Sequence, residues 1–299
     1  MKKSVDVFLG YALEDKDLCF EVLKQLKLLV REGLIHIWHE YTISPGVERE
    51  REILRYLEIA HVILLFVSID FINSDFCYGV ELRQAMERHE RGEVRVIPII
   101  LRSVPWQETP LGKLQALPRG QMPIKNWPDQ DTILTEIAED VRTVVKELVS
   151  EHYLQEGHLL IEQKYYEQAI VNCEHALRLM PTSVTAHRLK GLALLELKKY
   201  EEALKAYDHV IHLGLRLASV YKERGDTLCS LRLYNDALAS YNEATTLRPN
   251  FVEAYRGASA SLRQLAKEHN RLAELCDEKV HEILNSERNT TQEALRWDQ

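Results

Sequence analysis

Glu81 is the residue whose type and setting first point to chemistry. It lies in CYGVELRQAMERHE, an amphipathic stretch that reads as a helix, and the residues three and four positions on are Gln84 and Ala85. In the same stretch Arg83–Glu87 and Glu87–Arg91 form an ordinary surface ladder of i,i+4 ion pairs, and Glu81 stands outside it. A carboxylate fixed in a dry cleft can stabilise positive charge developing on a reacting group. Cys77, beside the start of that helix, reads as a reactive thiol or, more commonly for such a residue, a buried one. His36 and His39 have HxxH spacing, but no third ligand is near and the segment reads as a strand and its exit, so no metal is expected. Trp38 ends that strand and offers a flat ring for stacking or for core packing.

These residues need a scaffold, and the first half of the chain supplies an α/β one. VDVFL, HVILLFV and VRVIPII are short runs rich in Val and Ile and apolar on both faces, as strands buried within a parallel sheet are. IHIW at 35–38 is a further, weaker candidate. The amphipathic stretches between them, DKDLCFEVLKQLKLLV, EREREILRYLEIA and CYGVELRQAMERHE, alternate with the runs, which gives an open sheet. Six of nine prolines fall between Pro98 and Pro128, so the end of this domain is expected to be mostly loop. A helix over 129–149 then leads into the second half without a flexible linker.

Open α/β sheets bind ligands at the C-terminal ends of their strands. The loop after the first strand reads GYALED, not GxGxxG, and no GxxxxGK[ST] exists, so Rossmann and P-loop sites are excluded. A phospho-accepting receiver is excluded too, because the third run ends at Val67-Ser68 and the fourth at Arg102.

The second half repeats every 34 residues. Gly157, Gly191 and Gly225 keep that interval, as do Tyr166, Tyr200 and Tyr234, and Ala169, Ala203 and Ala237. Pro181 and Pro249 are two periods apart, with Leu215 between them. Small residues let two helices approach closely, and proline ends the second helix of each unit. The pattern resembles the tetratricopeptide repeat (TPR) over 150–183, 184–217 and 218–251. Residues 252–285 carry Ser259 in the Gly column and Arg271 in the Ala column, so they read as a capping unit, and 287–299 as a polar tail.

Composition bounds the rest. A net charge of -8 excludes a nucleic-acid-binding face. No apolar run approaches the ~18 residues of a membrane span, and MKKSVDVFLGYALED reads as a first strand, not a signal peptide. Five dispersed cysteines suit a reducing cytoplasm.

The order of local sequences in the first domain resembles the Toll/interleukin-1 receptor (TIR) domain, especially its bacterial branch. Asp6–Tyr11 is similar to that family's first-strand box, Ile43-Ser44-Pro45-Gly46 to its Pro-Gly loop, and Ser74-Asp75-Phe76-Cys77 leading to Glu81-Leu82 to the start of its third helix. The resemblance implies a flavodoxin-like TIR domain at 1–148, followed by an all-α TPR array at 149–286. Many TIR domains cleave NAD between nicotinamide and ribose with one glutamate, and Glu81 is the matching residue. Tyr11 and Ala12 match one wall of the NAD cleft, with Trp38 and Cys77 as further contacts, while Ser44, Pro45 and Gly46 match the self-association loop.

The sequence departs from that family at three places. Gly10 stands where serine is common, Glu40-Tyr41 where Asp-Arg is frequent, and Phe76-to-Glu81 is one residue longer than in many relatives. One helical residue turns a side chain by ~100°, so the aim of Glu81 depends on where its helix begins.

The expectation is a cytoplasmic NAD+ glycohydrolase or ADP-ribosyl cyclase in bacterial anti-phage defence. NAD+ is its substrate and no cofactor is needed. TIR self-association would switch it on, and the TPR groove would make protein, peptide or self contacts. The alternative is a non-catalytic adaptor. In the groove Arg188 and Lys222 suggest a carboxylate clamp, without the asparagines that usually accompany one.

Overall fold

In a computed structural model of the chain, which describes residues 4–120 and 122–297, four strands lie parallel. They are β1 (Val5–Gly10), β2 (Ile35–Trp38), β3 (Val62–Val67) and β4 (Arg95–Ile100), in the order β2-β1-β3-β4. The short IHIW run is therefore a true edge strand, in register with β1 from Val5↔Ile35 to Phe8↔Trp38. All six residues of β3 are buried, as expected of a central strand covered on both faces. Strand order reverses between β1 and β3, and the loops that leave their C-terminal ends diverge there to open a crevice.

Helices α1 (Lys16–Arg31), α2 (Arg49–Ile59), α3 (Ile69–Asn73) and α4 (Leu82–Glu90) connect and cover the strands. Each of the longer ones buries residues at three- and four-residue steps, such as Cys19, Val22, Leu26 and Leu29 of α1. Phe8, Ile63, Leu65 and Val67 pack with Ile53, Tyr56 and Leu57 of α2 and with Leu82, Ala85 and Met86 of α4. Alternation along β3 turns Val62, Leu64 and Phe66 to the opposite face. Among its described residues, the proline-rich stretch after β4 holds short 3-10 turns at Trp106–Glu108, Pro110–Lys113 and Ile124–Asn126 and one bridge, Ile99↔Leu117.

Helix α5 is unbroken over Gln130–Glu162. By internal contacts the chain divides into Met1–Gln155 with Arg178–Pro181, and Glu156–Leu177 with Thr182–Gln299. In the second unit, α6 (Tyr166–Leu179), α7 (Val184–Glu196), α8 (Tyr200–His212), α9 (Ala218–Ser230) and α10 (Tyr234–Leu247) form antiparallel hairpins. The Ala column, Ala169, Ala203 and Ala237, is fully buried. A Cβ on Gly191 would stand 2.8 Å from the ring of Tyr207, and one on Gly225 would stand 2.7 Å from Tyr241. Tyr207 and Tyr241 are the fully buried plugs of these hairpins, whereas the half-buried Tyr166, Tyr200 and Tyr234 sit at the turns. In the first unit Cys173 takes the plug position, and Gly157 meets nothing closer than 3.6 Å. The turns themselves put Lys164, Lys198 and Arg232, again 34 apart, at φ 65°, 60° and 61°.

One expectation about the C-terminal end is corrected. Residues 252–285 are not a helical hairpin: one helix, α11, runs Val252–Trp297. Neither glycine nor proline interrupts it after Gly257, so nothing in the backbone forces a turn. The polar tail from 287 continues this helix as far as Trp297, and residues 298–299 lie outside the described residues. Among the described residues no helix is long and apolar enough to cross a membrane.

Candidate functional site

Between Phe76 and Glu81, where the resemblance implies one residue more than in many relatives, the chain makes a π-helical turn. Cys77–Glu81 is π-helical and closes with the Leu82 amide donating to the Cys77 carbonyl, five residues back. The register of α4 after it is held by burial of Leu82, Ala85 and Met86, so the insertion is absorbed before the helix proper. Glu81 is thereby turned inward and is only 4% exposed. Its Oε2 stands 3.1 Å from where a Cβ on Gly10 would lie, and it has no hydrogen-bond partner among the described residues. Gly10 thus explains a departure in the first-strand box: with Leu65 Cδ2 only 2.8 Å from the same point, any side chain here would displace that carboxylate or the core beneath it.

Burial pushes the Glu81 carboxyl up to about 8; nearby Arg49 opposes the shift and Glu40 adds to it. The Cys77 thiol also favours the ionised form of Glu81 by hydrogen bonding, yet a carboxylate this dry with one oxygen unpartnered is costly unless it meets a cation. Cys77 is also buried, and its Sγ donates to the Tyr11 carbonyl at 3.7 Å. Burial, and next the Glu81 carboxylate, push its thiol up to about 12, so Cys77 is not a poised nucleophile.

A cleft of about 430 Å³ opens at the ends of β1 and β3. Tyr11, Ala12, Leu13 and Glu14 form one wall; Asp70, Asn73, Ser74, Phe76 and Cys77 form the other, and Arg49 reaches in from α2. The structure therefore brings Tyr11, Ala12 and Cys77 together at the cleft, whereas Glu81 is buried and is not among the residues that line it. Trp38 is not among the lining residues. It stacks on Tyr56 at 4.7 Å and 22°, and its Nε1 donates to Asp6 Oδ1 at 2.9 Å, so of its two readings the core-packing one describes its place. Ser44, Pro45 and Gly46 are exposed on a tight turn closed by the Val47 amide donating to the Ser44 carbonyl at 3.3 Å. Gly46 has φ +86°, as the third residue of a type II turn requires.

Sequence reasoning missed two groups. Arg49 pairs with Glu40 through two hydrogen bonds, Nε to Oε1 at 2.7 Å and Nη2 to Oε2 at 3.1 Å, while its guanidinium lies 5.6 Å from the Phe76 ring centre. Both ends of the turn-bearing loop are joined by this pair, and Glu40 was the only signal, as half of a noted departure. The second group is a buried network at the strand ends. Ser68 Oγ donates to the fully buried Asp15, Arg102 Nη2 lies 3.1 Å from Asp15, and Arg102 Nη1 lies 3.5 Å from Asp70. It ties the loop after β1 to the ends of β3 and β4, the two walls of the cleft. Its members are 53 or more residues apart from Asp15, so no local pattern reveals them.

In the repeats, Arg188 makes a forked pair with buried Glu223 at 2.6 to 3.0 Å, and Lys222 pairs with Asp226 at 2.7 Å. Both cations suggested for a carboxylate clamp are already engaged within the array.

Comparison with known proteins agrees with both halves. The TIR domain family matches residues 7–131, and the tetratricopeptide repeat family matches 151–183 and 186–213. An uncharacterized protein of Sinorhizobium fredii, y4lF, is 46% identical over 136 residues, which is 46% of this chain and 42% of that protein. The chain thus spans less than half the length of that relative. Among solved structures, the first TPR domain of human RPAP3 is 21% identical with a TM-score of 0.40, over 40% of this chain and 95% of that one. The TPR domain of Arabidopsis OM64 is 22% identical with a TM-score of 0.38, over 38% and 95%.

Proposed function

Because this chain is a TIR-domain protein with C-terminal tetratricopeptide repeats, we propose that it cleaves NAD+ at the bond between nicotinamide and ribose, with Glu81 as the catalytic carboxylate. The observation that supports this most is the orphaned Oε2 of Glu81, buried at the sheet edge. A carboxylate there answers a cation, and the ribosyl group becomes cationic as nicotinamide departs. The bond's electron pair passes to the ring nitrogen of the pyridinium, which leaves neutral and needs no acid. Water supplies hydroxide to the ribose carbon and its proton goes to solvent; attack by a group of the same molecule would give a cyclic product instead. NAD+ is thus the substrate, and the chemistry needs no separate cofactor.

The state described is a resting one in this reading. Glu81 is buried and does not line the cleft, so the cleft must open before the carboxylate meets a ribose. Self-association of TIR domains through the exposed Ser44-Pro45-Gly46 turn is the opening event we propose, with the repeats providing protein, peptide or self contacts that bring the heads together. Such a switch fits a cytoplasmic role in bacterial anti-phage defence. The test is release of free nicotinamide from NAD+ across protein concentration, with the ribosyl product identified. Turnover per molecule should rise with concentration, and Glu81→Gln should abolish it. If concentrated wild-type protein released no nicotinamide, the reading would fail.

The same burial of Glu81 favours a second reading, in which the TIR head is a non-catalytic adaptor that docks partners through the Pro45-Gly46 turn. Intact NAD+ in expressing cells, together with partner capture that depends on Pro45, would support it.

A further inference from the structure

We propose that Arg49 is the anion-binding residue of the cleft, that it takes the diphosphate of a dinucleotide substrate, and that Glu40 occupies it until that substrate arrives. This rests on the cleft being a dinucleotide site. Among the described residues that line it, Arg49 is the one cation, and Glu14 and Asp70 are acidic. A dinucleotide carries two negative charges on its diphosphate, so the cleft needs a cation, and only Arg49 supplies one. Its guanidinium is already arranged as a two-pronged donor: Nε and Nη2 each meet one oxygen of Glu40. That fork fits two phosphate oxygens in the same geometry.

The Glu40 pair is replaceable. The Arg49 side chain is 45% exposed although Glu40 is only 21% exposed, so an incoming ligand reaches the guanidinium from solvent and can compete for its two prongs. A doubly charged group at the cleft competes on favourable terms with one carboxylate. Glu40 and Arg49 also bracket residues 41–48, the loop that carries the exposed Pro45-Gly46 turn. Breaking the pair therefore removes one tie across the ends of that loop at the moment the ligand binds. Arg49 lines the same cleft as Cys77 and is near enough to Glu81 and Cys77 for their negative charge to favour its protonated form.

The test is isothermal titration of the full-length protein with ADP-ribose and, separately, with adenosine, which lacks the diphosphate. Arg49→Gln should weaken ADP-ribose by tenfold or more and leave adenosine unchanged. Arg49→Lys, which keeps the charge but loses the fork, should fall between. Glu40→Gln should tighten ADP-ribose threefold or more, and this variant keeps Arg49 intact should Arg49→Gln fold poorly. ADP-ribose binding equally well to Arg49→Gln, more weakly to Glu40→Gln, or to neither wild type nor Glu40→Gln would overturn the proposal. Arg49-dependent ADP-ribose binding in a protein that releases no nicotinamide would uphold it and overturn the catalytic reading instead. Nicotinamide release with an unchanged KM in Arg49→Gln would do the reverse.

Discussion

The Oε2 of Glu81 lies 3.1 Å from the point where a Cβ on Gly10 would stand. A strand glycine and a helix glutamate separated by 71 positions therefore share one small volume at the C-terminal edge of the sheet. Leu65, fully buried, closes it from the other side.

Gly10→Ala tests that packing. The added methyl must push the Leu65 side chain or the Glu81 carboxylate, and overpacking of a tight core costs about 1–3 kcal/mol. Thermal unfolding should move down by roughly 2–4 °C for each kcal/mol lost in a domain of this size. Nicotinamide release should drop with it. An unchanged midpoint would mean that the space around Glu81 is looser than described.

The raised Glu81 pKa predicts how stability responds to pH. Its carboxyl sits at about 8 in the folded chain against 4.5 for an ordinary glutamate, so the folded state holds the proton more tightly. The stabilisation is fully present below pH 4.5 and is lost as pH rises towards 8, by a few kcal/mol in order of magnitude. Glu81→Gln should flatten that part of the pH profile of thermal unfolding. In the wild type, kcat/KM for NAD+ should rise along a limb with an apparent pKa near 8, because the free enzyme must ionise Glu81. A limb near 4.5 would show that the carboxylate is solvated before substrate binds.

Deleting Gly79 tests the π-helical turn. Gly79 is exposed, and a Cβ there would meet nothing within 4 Å, so removing it costs little packing. The turn should become regular α-helix while Leu82, Ala85 and Met86 hold the register beyond it. Cleavage should then persist within about tenfold, roughly 1.4 kcal/mol of barrier. Deleting Gln84, beyond the turn, should abolish cleavage and destabilise the fold, because it shifts those buried side chains. Equal losses from both deletions would sink the account.

Arg188→Ala should destabilise the repeat array by about 2–3 kcal/mol, since it leaves the buried Glu223 carboxylate unpaired; a half-exposed arginine places the cost below that of a fully buried pair. Replacing both residues with apolar side chains of similar size should cost less than Arg188→Ala alone. A double-mutant cycle by urea denaturation checks this. Additive single effects would mean the pair contributes nothing.

Local and periodic features were legible in the sequence for a physical reason. Strand runs, helix faces and the 34-residue columns are set by burial at fixed intervals, and burial at a fixed interval leaves a pattern in the chain. The edge strand IHIW, the central run HVILLFV and the buried Ala column all follow from it. Glu81 stood out locally by its absence from the surface ladder, while its chemical role came only from the resemblance.

Contacts set by tertiary structure left no such pattern. The π-helical turn depends on which residues downstream are buried, and Gly10 depends on a side chain arriving from another element. Trp38 was open to two readings until Tyr56 and Asp6 were in place beside it. Arg188 and Lys222 looked like free cations until Glu223 and Asp226 stood against them. The last unit kept a helical pattern in sequence, yet whether it bends is decided by what packs against it, and the chain carries it on as one helix. What the sequence alone determined was which residue types stood at which intervals; the tertiary structure decided which of them met, because partners many residues apart are chosen by shape and charge in three dimensions.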